Sequence, residues 1–143
     1  MEAAKTLCEL RGWKLSNLEI QKILYLAHMF YLGQTGEPLI GENFEAWDYG
    51  PVVPDLYHHV RGFGRSPVST GFWHSRLIAR GEPEFDMLEQ AAQATKGVSA
   101  TRLVSITHRP GGAWATHYRP DARGIIIPNE AIKAEYDSLN VTA

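Results

Sequence analysis

The sequence predicts a mainly α (α+β) fold: a single compact helical domain, residues 1–143, around a central buried helix, with a minor two-stranded β element. Three observations carry this. A helix-capping signal at Ser16-Asn17-Leu18-Glu19 opens a run in which eleven of the fifteen positions from Leu18 to Leu32 are apolar or aromatic. Further segments repeat the apolar spacing of one-sided helices and are bounded by Pro, Ser or Gly. Only two short stretches, residues 44–48 and 124–127, have strand character.

In order along the chain, residues 2–10 suit a short helix with Ala3, Ala4, Leu7 and Cys8 on one face and Gly12 stopping it. At the capping box the Ser16 oxygen takes a free backbone donor of the first turn while Glu19 reaches back to the serine amide. The helix that follows is wet on a narrow side only, which makes it the central one, and Gly33-Gln34-Thr35-Gly36 ends it. Its polar exceptions Gln21, Tyr25 and His28 share one stripe, where a satisfied internal network competes with a ligand or catalytic role. Phe44 to Trp47 alternates with the period of a half-buried strand, and Gly50-Pro51 is expected to end it. Pro54 fits a first helical turn, with Leu56, Val60 and Phe63 forming one face and Gly62 and Gly64 closing the helix.

Residues 65–82 hold Pro67, Gly71 and Gly81 among scattered aromatics and read as a long loop, in which Phe72 and Trp73 are expected to fold back onto the core. Pro83 starts a helix with Phe85, Leu88, Ala92 and Thr95 on its inner face and Gly97 beyond its end. Ser99 caps the next, driven inward by Leu103, Val104 and Ile106 as far as His108. Arg109-Pro110-Gly111-Gly112 is then a tight turn, and Ala113-Trp114 resumes a short helical piece. Gly124 to Ile127 is the best partner for the first strand. Pro128 opens a last helix docked through Ile132, Tyr136 and Leu139, with residues 141–143 expected to fray.

Composition narrows the function. Fourteen basic and sixteen acidic residues give a net charge of −2, so no global cationic field favours nucleic acid. One cysteine, Cys8, cannot form an internal disulfide and reads as packing, and the N-terminal residues lack the apolar stretch of a signal peptide; a reduced, cytoplasmic protein is expected. No segment is long and apolar enough to suggest a membrane span. The six histidines lack the spacings of a zinc site, so neither metal nor other cofactor is expected. A nucleophile elbow, a Walker loop and a dinucleotide fingerprint are absent, which leaves catalysis without a named residue.

Leu18 to Tyr25, then Phe44 to Trp47 with Tyr49-Gly50-Pro51-Val52-Val53, then Leu103 to His108 with Trp114 six residues on, together resemble the SocA-like antitoxin family, or Panacea domain. The resemblance implies a mainly helical fold and a bacterial or phage-associated, non-enzymatic module that neutralises a cognate toxin by direct binding. One family member is an adaptor that delivers its toxin to the ClpXP protease, so a ClpXP-type protease is a second implied partner. Carried over by position, the resemblance points to Gln21, Lys22 and Tyr25 on the central helix, Trp47, Tyr49, Gly50 and Pro51 at the corner, and His108 with Trp114. Structural readings stand beside these: the turn alone explains Gly50 and Pro51, Trp114 suits a core or lid position, and His108 can fix its turn by bonding a backbone carbonyl. The competing class is an enzyme with a pocket near Gln21, Tyr25, His28 or His108, and below it a DNA-binding autorepressor, which lacks a basic recognition helix.

Overall fold

The computed structural model describes residues 1–141. Its order is α1 (Glu2–Leu10), α2 (Asn17–Thr35), β1 (Phe44–Trp47), β2 (Gly50–Val52), α3 (Pro54–Val60) with a 3₁₀ turn at Arg61–Phe63, α4 (Pro83–Ala94), α5 (Ala100–Thr107), α6 (Ala113–His117), β3 (Ile126–Ile127) and α7 (Asn129–Val141). The mainly helical expectation is met. Of residues 141–143, expected to fray, Val141 still belongs to α7, and Thr142 and Ala143 lie outside the described residues.

Helix α2 is the axis of the molecule. Its capping box is complete: Glu19 N–H donates to Ser16 Oγ and Ser16 N–H to Glu19 Oε1. Helices α1, α4, α5 and α7 and strand β2 all pack on it, which is why Ile20, Ile23, Leu24, Ala27, Met29 and Leu32 are buried around most of its circumference. It runs through Gly33 and stops at Gly36, whose φ of 79° gives the left-handed cap. Gly33 stays helical because α7 crosses there: a Cβ at this position would lie 2.0 Å from Tyr136 Cδ2. Gly33→Ala is therefore expected to cost about 1–3 kcal/mol by overpacking this crossing. Urea unfolding checks this, and an unchanged midpoint would mean that α7 can shift outward freely.

The β element departs from expectation. It has three strands in the order β2-β1-β3, both pairings antiparallel. Gly50-Pro51 does not end the extended run; it lies within β2, and the turn falls on Asp48-Tyr49. The register explains how a proline is tolerated. Ala46 sits opposite Pro51 and sends its own N–H the other way, to the Ile125 carbonyl. Pro51 therefore needs no N–H toward β1, and β2 is an edge strand, where proline costs least. The residues 124–127 do pair with β1, through Ile126 and Ile127.

Elsewhere the loop and two helix faces adjust. Residues 65–82 hold no helix or ladder strand, yet Val68 N–H bonds the Leu15 carbonyl and Val68 is fully buried. Phe72 folds back against Trp13 as expected, whereas Trp73 points out, 80% exposed. Helix α5 turns Leu103 and Thr107 inward rather than Val104 and Ile106, which are only half-buried. Phe63 falls in the 3₁₀ turn rather than in α3 and is half-buried. Cys8 is buried among apolar groups, and its thiol is pushed up to about 12 by that burial, the condition of a packing cysteine.

Candidate functional site

The corner where α2, the β1–β2 hairpin, α5 and α6 meet collects most of the residues to which the family resemblance points. Lys22, three residues past the capping box, is turned inward by the helical period and is fully buried. Its Nζ donates to the Pro51 carbonyl at 2.9 Å, the group that β2 turns away from β1. No carboxylate lies within ion-pair distance of it among the described residues. Burial without a counter-ion pushes its pKa down to about 7. Gly50 is the residue that makes room: at φ 116°, a Cβ there would stand 2.9 Å from Lys22 Cε and 3.0 Å from Thr107 Oγ1. A glycine is needed here for close approach as well as for backbone angle.

Three rings brace the hairpin from the other side. Trp114 stacks on His108 with centroids 3.6 Å apart and on Tyr118 at 4.6 Å. Trp114 Nε1 donates to the Trp47 carbonyl at 2.7 Å, and Tyr118 OH donates to Asp48 Oδ1. The hairpin is thus pinned at Trp47, Asp48 and Pro51 by side chains from α6, the segment after it and α2. His108 does not fix its own turn: the backbone group it approaches is that of Tyr49 in the hairpin, its buried Nε2 makes no hydrogen bond of good geometry, and stacking on Trp114 holds the ring. Burial, with the nearby Lys22 charge adding to it and the Tyr49 backbone opposing it, keeps His108 below the usual imidazole pKa.

The stripe of Gln21, Tyr25 and His28 is spent on internal hydrogen bonds. Gln21 accepts Val53 N–H at 2.9 Å. Tyr25 OH donates to Glu135 Oε1 at 2.8 Å. At His28, Ile40 N–H donates to Nδ1, so Nε2 carries the proton and donates to Asn129 Oδ1 at 2.9 Å. Burial lowers the pKa of His28, consistent with this neutral tautomer. Among the described residues no three His, Cys, Asp or Glu side chains come together as metal ligands would.

Of the residues singled out from sequence, Gln21, Lys22, Tyr25, Gly50, Pro51 and Trp114 are buried, and Trp47 and His108 are half-buried. Tyr49 alone stands clear, 71% exposed at the hairpin tip. Beside it opens a cleft of about 640 Å³. It is lined by the outward face of the sheet, Glu45 and Trp47, by Tyr57 and Arg61 from α3 and the turn after it, and by Tyr118 and Arg123 from the segment between α6 and β3. Trp47 Nε1 donates to Glu45 Oε1 at 3.0 Å and its ring meets Tyr57 edge-on at 4.9 Å.

Sequence reasoning missed Glu135, Asn129, Tyr57, Tyr118 and Arg123. Glu135 carried a readable signal: it shares the apolar stripe of α7 with Ile132, Tyr136 and Leu139, and a carboxylate on such a face has to be paired. Tyr118 likewise sits one helical turn beyond Trp114, the spacing at which the two rings stack.

The family model described as Antitoxin SocA-like, Panacea domain, matches residues 20–115. That segment holds the buried lysine, the hairpin and the His108–Trp114 stack, and it stops short of Tyr118, Arg123 and Glu135. The chain is 31% identical over 109 residues to Antitoxin SocA of Caulobacter vibrioides (strain NA1000 / CB15N), an alignment covering 70% of this chain. It spans only 58% of that relative's length. No solved structure matches the chain. On the strength of the segment from Ile20 to Ala115 and this likeness, the chain belongs to the SocA-like antitoxin family, the Panacea domain.

Proposed function

We propose that residues 1–143 form one cytoplasmic antitoxin domain that neutralises a cognate toxin by direct binding, without turnover. The observation that carries this is Tyr49: a large aromatic side chain held out at 71% exposure on a hairpin pinned from three sides, beside a cleft walled by further aromatics. Stiff aromatics on a preorganised support are the groups that anchor protein interfaces, because little conformational freedom is lost on binding. In this reading Tyr49 and Trp47 touch the toxin. Gln21, Lys22, Tyr25, Gly50, Pro51, His108 and Trp114 hold the corner in its binding shape. The name of the SocA relative favours the antitoxin role. A variant adds delivery of the toxin to a ClpXP-type protease, and it is distinguished by toxin loss only when the protease is present.

The test is co-expression with the product of the adjacent gene, scoring growth and co-purification. A toxic neighbour that is silenced and co-purifies supports the reading, and a harmless or unbound neighbour overturns it. Within the complex, Tyr49→Ala and Trp47→Ala are each expected to weaken binding by about 2 kcal/mol while leaving the helical circular dichroism intact. Unfolding of Trp47→Ala would instead place Trp47 in the core, leaving Tyr49→Ala to decide.

A further inference from the structure

Resting on the toxin-binding reading, we propose that the part of the toxin seated in the cleft is an acidic segment, its carboxylates held by Arg61 and Arg123. The charges around the cleft are not equally committed. Both of its acids already accept a hydrogen bond from a neighbouring ring: Glu45 from Trp47 Nε1 and Asp48 from Tyr118 OH. Its cations are open. Arg61 and Arg123 both line the cleft and are exposed, and their side chains make no hydrogen bond or ion pair among the described residues. Lys22 is buried, with the Pro51 carbonyl as its sole acceptor and no counter-ion. Two exposed guanidiniums with free donors therefore face two acids whose lone pairs are partly used.

A guanidinium offers a planar fork that a carboxylate matches with two parallel hydrogen bonds, and it loses little hydration in doing so. A basic segment entering the same cleft would meet two unpaired arginines. Since the whole chain carries −2, this attraction belongs to the cleft and not to a general field. The rings of Trp47, Tyr57 and Tyr118 supply apolar walls, so the segment combines acids with apolar or aromatic side chains. Arg61 lies inside the segment matched to the family and Arg123 beyond it. The cleft thus joins residues of the matched segment to residues that lie beyond it.

The experiment uses the full chain in complex with the co-purified neighbour. The double variant Arg61→Glu with Arg123→Glu is expected to weaken binding at least about 100-fold and to reverse the salt response, so that added salt strengthens what binding remains. Lys96→Glu with Arg102→Glu makes the same change in net charge at exposed positions that do not line the cleft; it is expected to leave the affinity within about threefold of the parent, since solvent-exposed charges that make no contact are largely screened by salt. Restoration of binding to the reversed cleft by an Asp or Glu to Arg change in the toxin would identify the contact. Unchanged or tighter binding by the cleft double variant, or an equal loss in the control pair, overturns the acidic segment while the toxin reading stands. Failure of the parent chain to bind overturns both.

Discussion

Glu135→Ala is expected to lower the stability of the chain by about 3–5 kcal/mol, the largest effect of any single truncation in this protein. The carboxylate is buried, and Oε1 accepts both Tyr25 OH at 2.8 Å and Ala113 N–H at 3.1 Å. Arg109 Nε stands 3.7 Å from Oε2. One side chain on α7 thereby ties α2, the start of α6 and the turn before it. Removal strands a phenol and a backbone donor, each of which then bears its desolvation without a partner, and takes the counter-ion from the half-buried Arg109, which keeps only its Nη2 bond to Ser138 Oγ. Burial first, then the charge and hydrogen bond of Glu135, hold the Tyr25 phenol above its usual pKa, with Arg109 opposing. Denaturant unfolding at neutral pH checks the loss. Glu135→Gln keeps an acceptor for Tyr25 and Ala113 and should cost clearly less, so equal losses for Ala and Gln, or a loss below about 1 kcal/mol for Ala, would refute the network.

Lys22→Met is expected to change how stability depends on pH, between about 7 and 10.5, more than any other substitution. The amine is at about 7 in the folded chain against 10.5 when exposed, through burial. Between those values the unfolded chain holds the proton that the folded chain has released. Folded stability therefore rises with pH across this window, by up to about 1.4 kcal/mol per pH unit from this group. Below it both states are protonated, and the full cost of a buried ammonium is present. Cys8, raised from 9.0 to about 12, and Tyr25 act in the opposite sense at the alkaline end, so the quantity to read is the difference between parent and variant. Lys22→Met should be the more stable near the acid end of the window, by less than the full electrostatic cost because the bond to the Pro51 carbonyl is lost, and the gap should close as pH rises toward 10.5. Parallel curves would show that Lys22 keeps an ordinary pKa through water reaching it.

The placement of Lys22 connects this energetics to the proposed role. A lysine without a counter-ion is an expensive way to hold one carbonyl, and hydrophobic packing would serve stability better. Its length and single bond to Pro51 instead set where the hairpin stands relative to α2, and Gly50 is confined to glycine by the same contact. Tyr49 projects from the tip of that hairpin. The corner thus holds position at some expense of stability, which fits the proposed binding surface.

Most of the helical framework was legible in the sequence because its signals act within one or two turns. The Ser16–Glu19 box, the prolines at positions 54 and 83, the Ser99 cap and Gly36 each work on donors and dihedrals a few residues away. The apolar spacings likewise settled which faces of α1, α2 and α4 are inside. Strand β2 was not legible, since glycine and proline are ordinarily breakers and only pairing with β1 at a sheet edge makes Pro51 acceptable. The partners of the polar stripe were equally hidden: Gln21 meets Val53 across 32 positions, His28 meets Asn129 across 101 and Tyr25 meets Glu135 across 110. So was the part of the cleft lined by Tyr118 and Arg123, which the chain brings to the sheet only after α6. The sequence by itself determined the helices, their caps and their apolar faces, whose causes are local. Tertiary structure alone decided which buried polar group pairs with which and which aromatic remains outside, because those depend on contacts between segments far apart in the chain.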